Sequence, residues 1–287
     1  MISSPTVLQR SIAFEMKRLR QEAGLTQTKA AELSGYTDGA INHLEKRNRR
    51  PQKPMIVSLL KIYGREDLLH TFEDRLRLMN RPNWWANQPG SQFPTGFDIY
   101  LGLEDGASAI DWWEPLIVPG IMQTEDYARR VLSPGPTQLE PDELQSRVEL
   151  RQRRQEILTR SENPVQLWVV TTEFALIHIG GPAEINRGQL EHLLTLAKLP
   201  NVDLQVIPMA AGIDTTHGTR GPFTHLKFDQ DDDPGVVYVE TQPRAVWFEK
   251  HEDISAYAQV MNYLRALAAG TEESAELIEK HRKEATR

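Results

Sequence analysis

The segment Gly24–Pro51, GLTQTKAAELSGYTDGAINHLEKRNRRP, is punctuated too often for long helices and has the wrong period for strands. Just upstream, Ile12, Met16 and Leu19 recur at spacings of four and three, the pattern that lines one face of a helix. Gly24 stops that helix. Thr26 is suited to cap a second one running through Ala30, Ala31 and Leu33, and Gly35 supplies the positive φ that a tight turn after Ser34 needs. Thr37 caps a third helix, in which Ile41 and Leu44 face inward. Two short helices joined by a turn of about three to four residues, the second with a polar outer face, make a helix-turn-helix. With the run SLLKIYG completing it, residues 1–64 are expected to form a small all-α domain.

Charge supports a role for that domain. The 287-residue chain has a net charge of −7, yet Arg10–Lys53 holds ten Lys and Arg against five Asp and Glu, leaving −12 for the rest. A basic module on an acidic chain points to contact with a polyanion confined to one end. On the third helix Asp38, Gly39, Asn42 and His43 lie opposite Ile41 and Leu44 and are the residues expected at base edges. Asn pairs bidentately with adenine and His donates to a base edge or phosphate, whereas Asp accepts only from a cytosine amino group.

The same segment resembles the xenobiotic-response-element (XRE) family of helix-turn-helix regulators, with Leu25, Gln27, Ala31, Leu33, Ile41, Glu45 and Pro51 matching its usual pattern. The resemblance implies a lambda-repressor-like helical domain, double-stranded DNA as partner and a phosphate contact from Gln27. Thr37 and the basic group Lys46, Arg47, Arg49 and Arg50 are expected to extend that backbone contact. Such contacts set register and make affinity salt-dependent without choosing sequence. Asp38 and Gly39 stand where many relatives carry small polar or basic residues, which implies fewer direct base contacts and a share for DNA shape.

Residues 65–96 read as a connecting helix, Arg65–Met79, followed by a Pro/Gly/Asn-rich linker, with Trp84 and Trp85 expected to dock on the second domain. Residues 97–287 mix strand and helix signals. VQLWVVTT (Val165–Thr172), VDLQVIPM (Val202–Met209), FTHLKF (Phe223–Phe228), GVVYVE (Gly235–Glu240) and AVWFE (Ala245–Glu249) read as strands. Helices are expected after Thr124, from Pro141 to about Arg160, from Glu184 to Leu199, and from Glu252 to Ala268, which closes the set. Short connections between the late strands make a mixed sheet, so the second domain is expected to be α/β of the mixed-sheet α+β kind.

Several pieces of this region, notably VPGIMQTEDYA within FDIYLGLEDGASAIDWWEPLIVPGIMQTEDYARRVL, then VDLQVIPMAAG, GPFTHLKF and VVYVE, resemble an actinobacterial domain of unknown function that commonly follows this type of helix-turn-helix. The layout is similar to the WhiJ-like regulators, often encoded beside a small partner protein. It implies a regulator whose C-terminal part receives a signal and identifies no ligand.

Candidate chemistry in the second domain is sparse. Asp229, Asp231, Asp233 and Glu240 have calcium-loop spacing, but Pro234 occupies the position that wants Gly, and VVYVE alternates like a strand, so an acidic hairpin turn is the better reading. His217 and Arg220 sit in a Gly-rich polar loop suited either to an anion or to loop structure alone. Glu104 is either a functional carboxylate or a brace for its helix. Trp84, Trp85, Trp112 and Trp113 line a pocket, make an interface or fill a core. Arg147–Arg160 is interleaved with Glu at helix salt-bridge spacing and reads as a solvated face. Zero cysteines exclude disulfides and thiolate-ligated metals, and no phosphate-loop, dinucleotide, nucleophile-elbow or zinc-protease motif is present.

The expected function is therefore a sequence-specific transcriptional regulator, non-enzymatic, without cofactor or metal. It is expected to be cytoplasmic and nucleoid-associated with no membrane contact, and to form a homodimer because one small module reads few base pairs. A small neighbour-encoded protein and an unknown small-molecule ligand remain candidate partners. Two rival readings stay open: half of a toxin–antitoxin-like pair, and an enzyme using the His217 loop.

Overall fold

A computed structural model of the chain describes residues 4–47, 49–85, 96–133, 139–177, 182–211, 221–241 and 245–285. It divides into two compact units, one of Met1–Ala86, Leu101–Gly106 and Gln230–Asp233 and the other of Asn87–Tyr100, Ala107–Asp229 and Pro234–Arg287. His217 and Arg220 lie outside the described residues.

The first unit contains α1 (Pro5–Glu22), α2 (Gln27–Ser34), α3 (Asp38–Glu45), α4 (Lys53–Ile62) and α5 (Leu69–Met79). Helix α1 begins at Pro5, more than a turn before Ser11, because proline suits a first helical turn and Val7 and Leu8 extend the buried stripe. Gly24 and Gly35 hold φ of 69° and 73°, as the turns between helices require. Thr26 Oγ1 accepts from Lys29 N at 3.1 Å and Thr37 Oγ1 from Ala40 N at 3.2 Å, so both expected caps form. The core joins Ile12, Met16, Leu19, Ile41, Leu59 and Phe72.

Leu33, on the outside of α2, is 52% exposed. Two expectations fail here. Helix α5, read as a connector, turns Phe72, Leu76 and Met79 into this same core, because their spacing makes one apolar face. Trp84 and Trp85 likewise fall in the first unit, where Trp84 Nε1 donates to Asp105 at 3.3 Å and the two rings meet edge-on at 5.2 Å.

Next come α6 (Phe97–Asp105), whose first residues count with the second unit, then β1 (Ala109–Glu114), α7 (Glu125–Leu132), α8 (Pro141–Arg154) and α9 (Glu156–Thr159). They are followed by β2 (Gln166–Thr172), α10 (Glu173–Ile177), α11 (Ala183–Leu196), β3 (Val202–Ile207), β4 (Phe223–Lys227), β5 (Val236–Val239), β6 (Val246–Phe248), α12 (His251–Leu267) and α13 (Thr271–Glu284). Among the described residues the strands form a six-stranded sheet in the order β3-β2-β1-β4-β5-β6. Strands β1, β2 and β3 run parallel, whereas β4, β5 and β6 each pair antiparallel with the strand before them in that order. The mixed-sheet α+β class expected of this domain is the class observed.

Three elements differ from the sequence reading. Strand β1 sits in the middle of the sheet although its pattern is interrupted by Asp111. That carboxylate is buried and held by Lys227 and Arg265, each at 2.6 Å. The long helix expected from Pro141 to Arg160 breaks at Gln155 into α8 and α9. Helix α13 follows α12 and docks by burying Ser274, Ile278 and His281, the last bonded to Glu173 at 2.7 Å. The acidic run expected as a hairpin turn does lie between antiparallel β4 and β5, with Asp232 at φ 63° and Gly235 at φ 90°.

Side chains alternate across the sheet. Trp113, Val170, Phe223 and Val237 face a core shared with Ile254, Met261 and Leu264 of α12. Trp112 and Tyr238 point the opposite way.

Candidate functional site

In the first unit, α2 and α3 are braced from below and linked from above. Arg20 donates to both oxygens of Glu45 through Nε at 2.6 Å and a terminal nitrogen at 3.0 Å, and Gln27 Nε2 donates to Glu45 Oε2 at 2.7 Å. Arg20 and Glu45 are buried. The hydrogen bond to Glu45 raises the Arg20 pKa further above its ordinary value, against the opposing pull of burial. Across the turn, Thr28 Oγ1 donates to Asp38 Oδ2 at 2.6 Å. These bonds set the angle at which α3 is presented.

The outer face of α3 carries Asp38, Gly39 and His43, all exposed, with Asn42 half-buried beside them. Ile41 and Leu44 point inward. Of the four residues expected at base edges, Asp38 is therefore already engaged by Thr28, and it sits in the first turn where a carboxylate favours the helix N-terminus. Gln27 spends one amide proton on Glu45 and keeps the other. Thr37 is exposed at the tip of α3.

The basic group after α3 splits. Lys46, Arg49 and Arg50 are exposed. Arg47 adopts φ 63°, an unusual value outside glycine, with its carbonyl receiving Gln9 Nε2 at 3.1 Å. Its guanidinium lies over the Phe14 ring at 5.5 Å, and burial, reinforced by repulsion from Arg10, pushes its pKa down to about 10. Arg50 donates to the Met79 carbonyl. Arg47 is thus the least exposed of the four, and Arg50 is exposed while donating to a backbone carbonyl.

The second unit holds a cavity of about 240 Å³ on the Trp112 face of the sheet. Its floor is Trp112 and Glu114 from the end of β1, Thr224 at the start of β4, and Tyr238 and Glu240 at the end of β5. Register explains the grouping: Trp112 pairs with Thr224, which pairs with Tyr238. Arg147, Arg151 and Arg154 of α8 line the other wall at spacings of four and three, with Tyr100 of α6 beside them. Buried Gln123 donates to the Val118 carbonyl at 2.7 Å, accepts from Arg151, and offers its own carbonyl to Gln152 Nε2 at 3.0 Å. Burial pushes the Glu114 carboxyl up to about 7, countered in part by the amides of Leu116 and Ile117, and pushes Arg151 down to about 10.

A family model described as "Domain of unknown function (DUF5753)" matches residues 97–280, well over half of the chain. The chain belongs to the DUF5753 family. A second model, described as a helix-turn-helix domain, matches residues 11–71 ahead of the DUF5753 region. The chain is 43% identical over 49 residues to HTH-type transcriptional regulator PuuR of Escherichia coli (strain K12), and equally to PuuR of Shigella flexneri. Those matches cover 17% of this chain and span about a quarter, 26%, of each curated relative. No solved structure matches.

Among the described tryptophans and Glu104 considered from sequence for a ligand or partner site, only Trp112 lines the DUF5753 cavity. Trp113 fills the α12 core and Glu104 is buried on α6. Sequence reasoning missed Glu114, Gln123 and Arg151. The same-face spacing of Arg147, Arg151 and Arg154 was the available signal, though interleaved Glu residues made it look like an exposed helix. Among the described residues no cluster of potential metal ligands forms, and no helix is long and apolar enough to cross a membrane.

Proposed function

We propose that this protein is a sequence-specific DNA-binding transcriptional regulator of the XRE type, acting as a homodimer, whose DUF5753 domain senses a small molecule or a protein partner. The single observation that carries the reading is the α2–α3 pair. Two capped helices share a core through Ala30 and Ala31 of α2 and Ile41 and Leu44 of α3, while Gly39, Asn42 and His43 of α3 remain on the outside. Such a helix enters a major groove by its N-terminal residues. The charge difference, +5 over Arg10–Lys53 on a chain of net −7, favours an encounter led by that end. A two-fold pair would double the number of base pairs read. On this reading the second domain senses rather than catalyses.

The test is fluorescence anisotropy of the full-length protein against duplex from upstream of its own gene and against scrambled duplex, over a salt series. Selective binding that weakens steeply with salt is expected. Asn42→Ala and His43→Ala should each shrink the gap between the two duplexes, by about 1–3 kcal/mol for each base edge no longer read. Equal affinity for both duplexes, unaltered by either substitution, refutes the assignment.

A further inference from the structure

We propose that the cavity between the β1/β5 strand ends and α8 binds a small zwitterion with a flat apolar body, its cationic group at Glu114 and its anionic group at Arg151. This names the ligand class for the sensing role proposed above, and so rests on that reading.

Position comes first. At β1 the sheet changes from parallel to antiparallel neighbours, β2 on one side and β4 on the other. The cavity opens at the carboxyl ends of β1 and β5, where open sheets with helices on their faces hold ligands. Its 240 Å³ lies at the small end for ligand sites, which fits a molecule of amino-acid size.

Charge makes the choice of class. Arg147 is paired with Glu143 at 2.7 Å, and Arg154 lies over the Phe97 and Tyr100 rings at 5.8 and 5.5 Å. Arg151 instead has the neutral Gln123 amide as its hydrogen-bond acceptor, and Gln123 is itself fixed by Val118 and Gln152. On the facing wall Glu114 accepts from the Leu116 amide at 3.3 Å, and no cation stands within ion-pairing distance of it among the described residues. Two half-buried opposite charges thus face one cavity without pairing with each other. Each bears a desolvation cost that a ligand group of opposite sign relieves. A ligand with a single charge satisfies one wall and leaves the other uncompensated. Trp112, Tyr100 and Tyr238 supply flat apolar surface between the two charges. Glu240, exposed at the end of β5, adds negative potential felt by both Glu114 and Arg151.

The experiment is isothermal titration calorimetry on the intact protein at pH 8 with four probes. They are L-tryptophan, N-acetyl-L-tryptophan (anion only), tryptamine (the charged amine without the acid) and indole (neither charge). L-tryptophan should bind about tenfold or more tightly than each of the others, the effect of one charge-assisted hydrogen bond. Glu114→Gln should weaken L-tryptophan and tryptamine while sparing the N-acetyl compound. Arg151→Gln should weaken L-tryptophan and the N-acetyl compound while sparing tryptamine. Far-UV circular dichroism establishes that both variants are folded. Indole binding as tightly as L-tryptophan, unchanged binding in both variants, or no heat with any probe overturns the proposal. The titration contains no DNA, so its failure and the failure of DNA binding are read separately.

Discussion

Replacing Glu114 by Gln should stabilise the protein, and only above mildly acidic pH. The carboxyl titrates at about 7 in the folded chain, against 4.5 for an ordinary Glu, chiefly because burial disfavours its charged form. The folded state therefore holds its proton more tightly than the unfolded state. Stability from this group is fully present below pH 4.5, is lost as pH rises from 4.5 toward 7, and is level beyond. Taken at face value the loss is about 3 kcal/mol at pH 8 and under about 1 kcal/mol at pH 5. Glu114 is half-buried, so solvent screening brings the expected pH 8 figure to about 1.5–3 kcal/mol. Gln keeps the shape and can accept from the same Leu116 amide without ionising. Urea unfolding of wild type and Glu114→Gln, followed by far-UV circular dichroism at pH 5, 6, 7 and 8, measures the difference. A variant gaining stability from pH 5 to 7 relative to wild type supports the reasoning. A variant no more stable at pH 8, or a gap that does not widen over that window, refutes it.

Glu45→Ala should cost about 3–5 kcal/mol in the same unfolding assay, since it strands the buried Arg20 guanidinium, while Arg20→Met combined with Glu45→Leu should cost much less. Gly235→Ala should destabilise by more than about 2 kcal/mol, because φ is +90° and the new Cβ would lie 2.5 Å from the Leu226 carbonyl oxygen; retention of the wild-type midpoint would contradict this. In the salt series, Lys46→Ala and Arg49→Ala should each lower the slope of log affinity against log salt by about one. Arg47→Ala should leave that slope nearly unchanged and lower the unfolding midpoint instead, because its half-buried side chain is turned onto Phe14.

Signals confined to a few consecutive residues were legible. Caps at Thr26 and Thr37, the left-handed glycines 24 and 35 and the inward pair Ile41 and Leu44 all depend on contacts within one helical turn. The five strands read from alternation are present, and so is the mixed sheet. Strand β1 escaped because Asp111 breaks its apolar pattern. Only the distant Lys227 and Arg265 make that carboxylate tolerable inside a sheet. Arg47 looks like a phosphate ligand in a row of basic residues, and its turn onto Phe14 depends on a residue that local sequence does not connect to it.

The amino-acid sequence by itself determined the helix-turn-helix, its basic charge and the strand-rich character of the second domain, because propensity, capping and charge are local or summed properties. Tertiary structure alone decided that α5 completes the first core, that Asp38 is tied to Thr28, and that Glu114, Arg151 and Tyr238 meet around one cavity. Those meetings follow from strand register and helix packing. Register is selected by how the whole sheet buries its apolar face, so residues far apart in the chain become neighbours for reasons that none of their own segments contains.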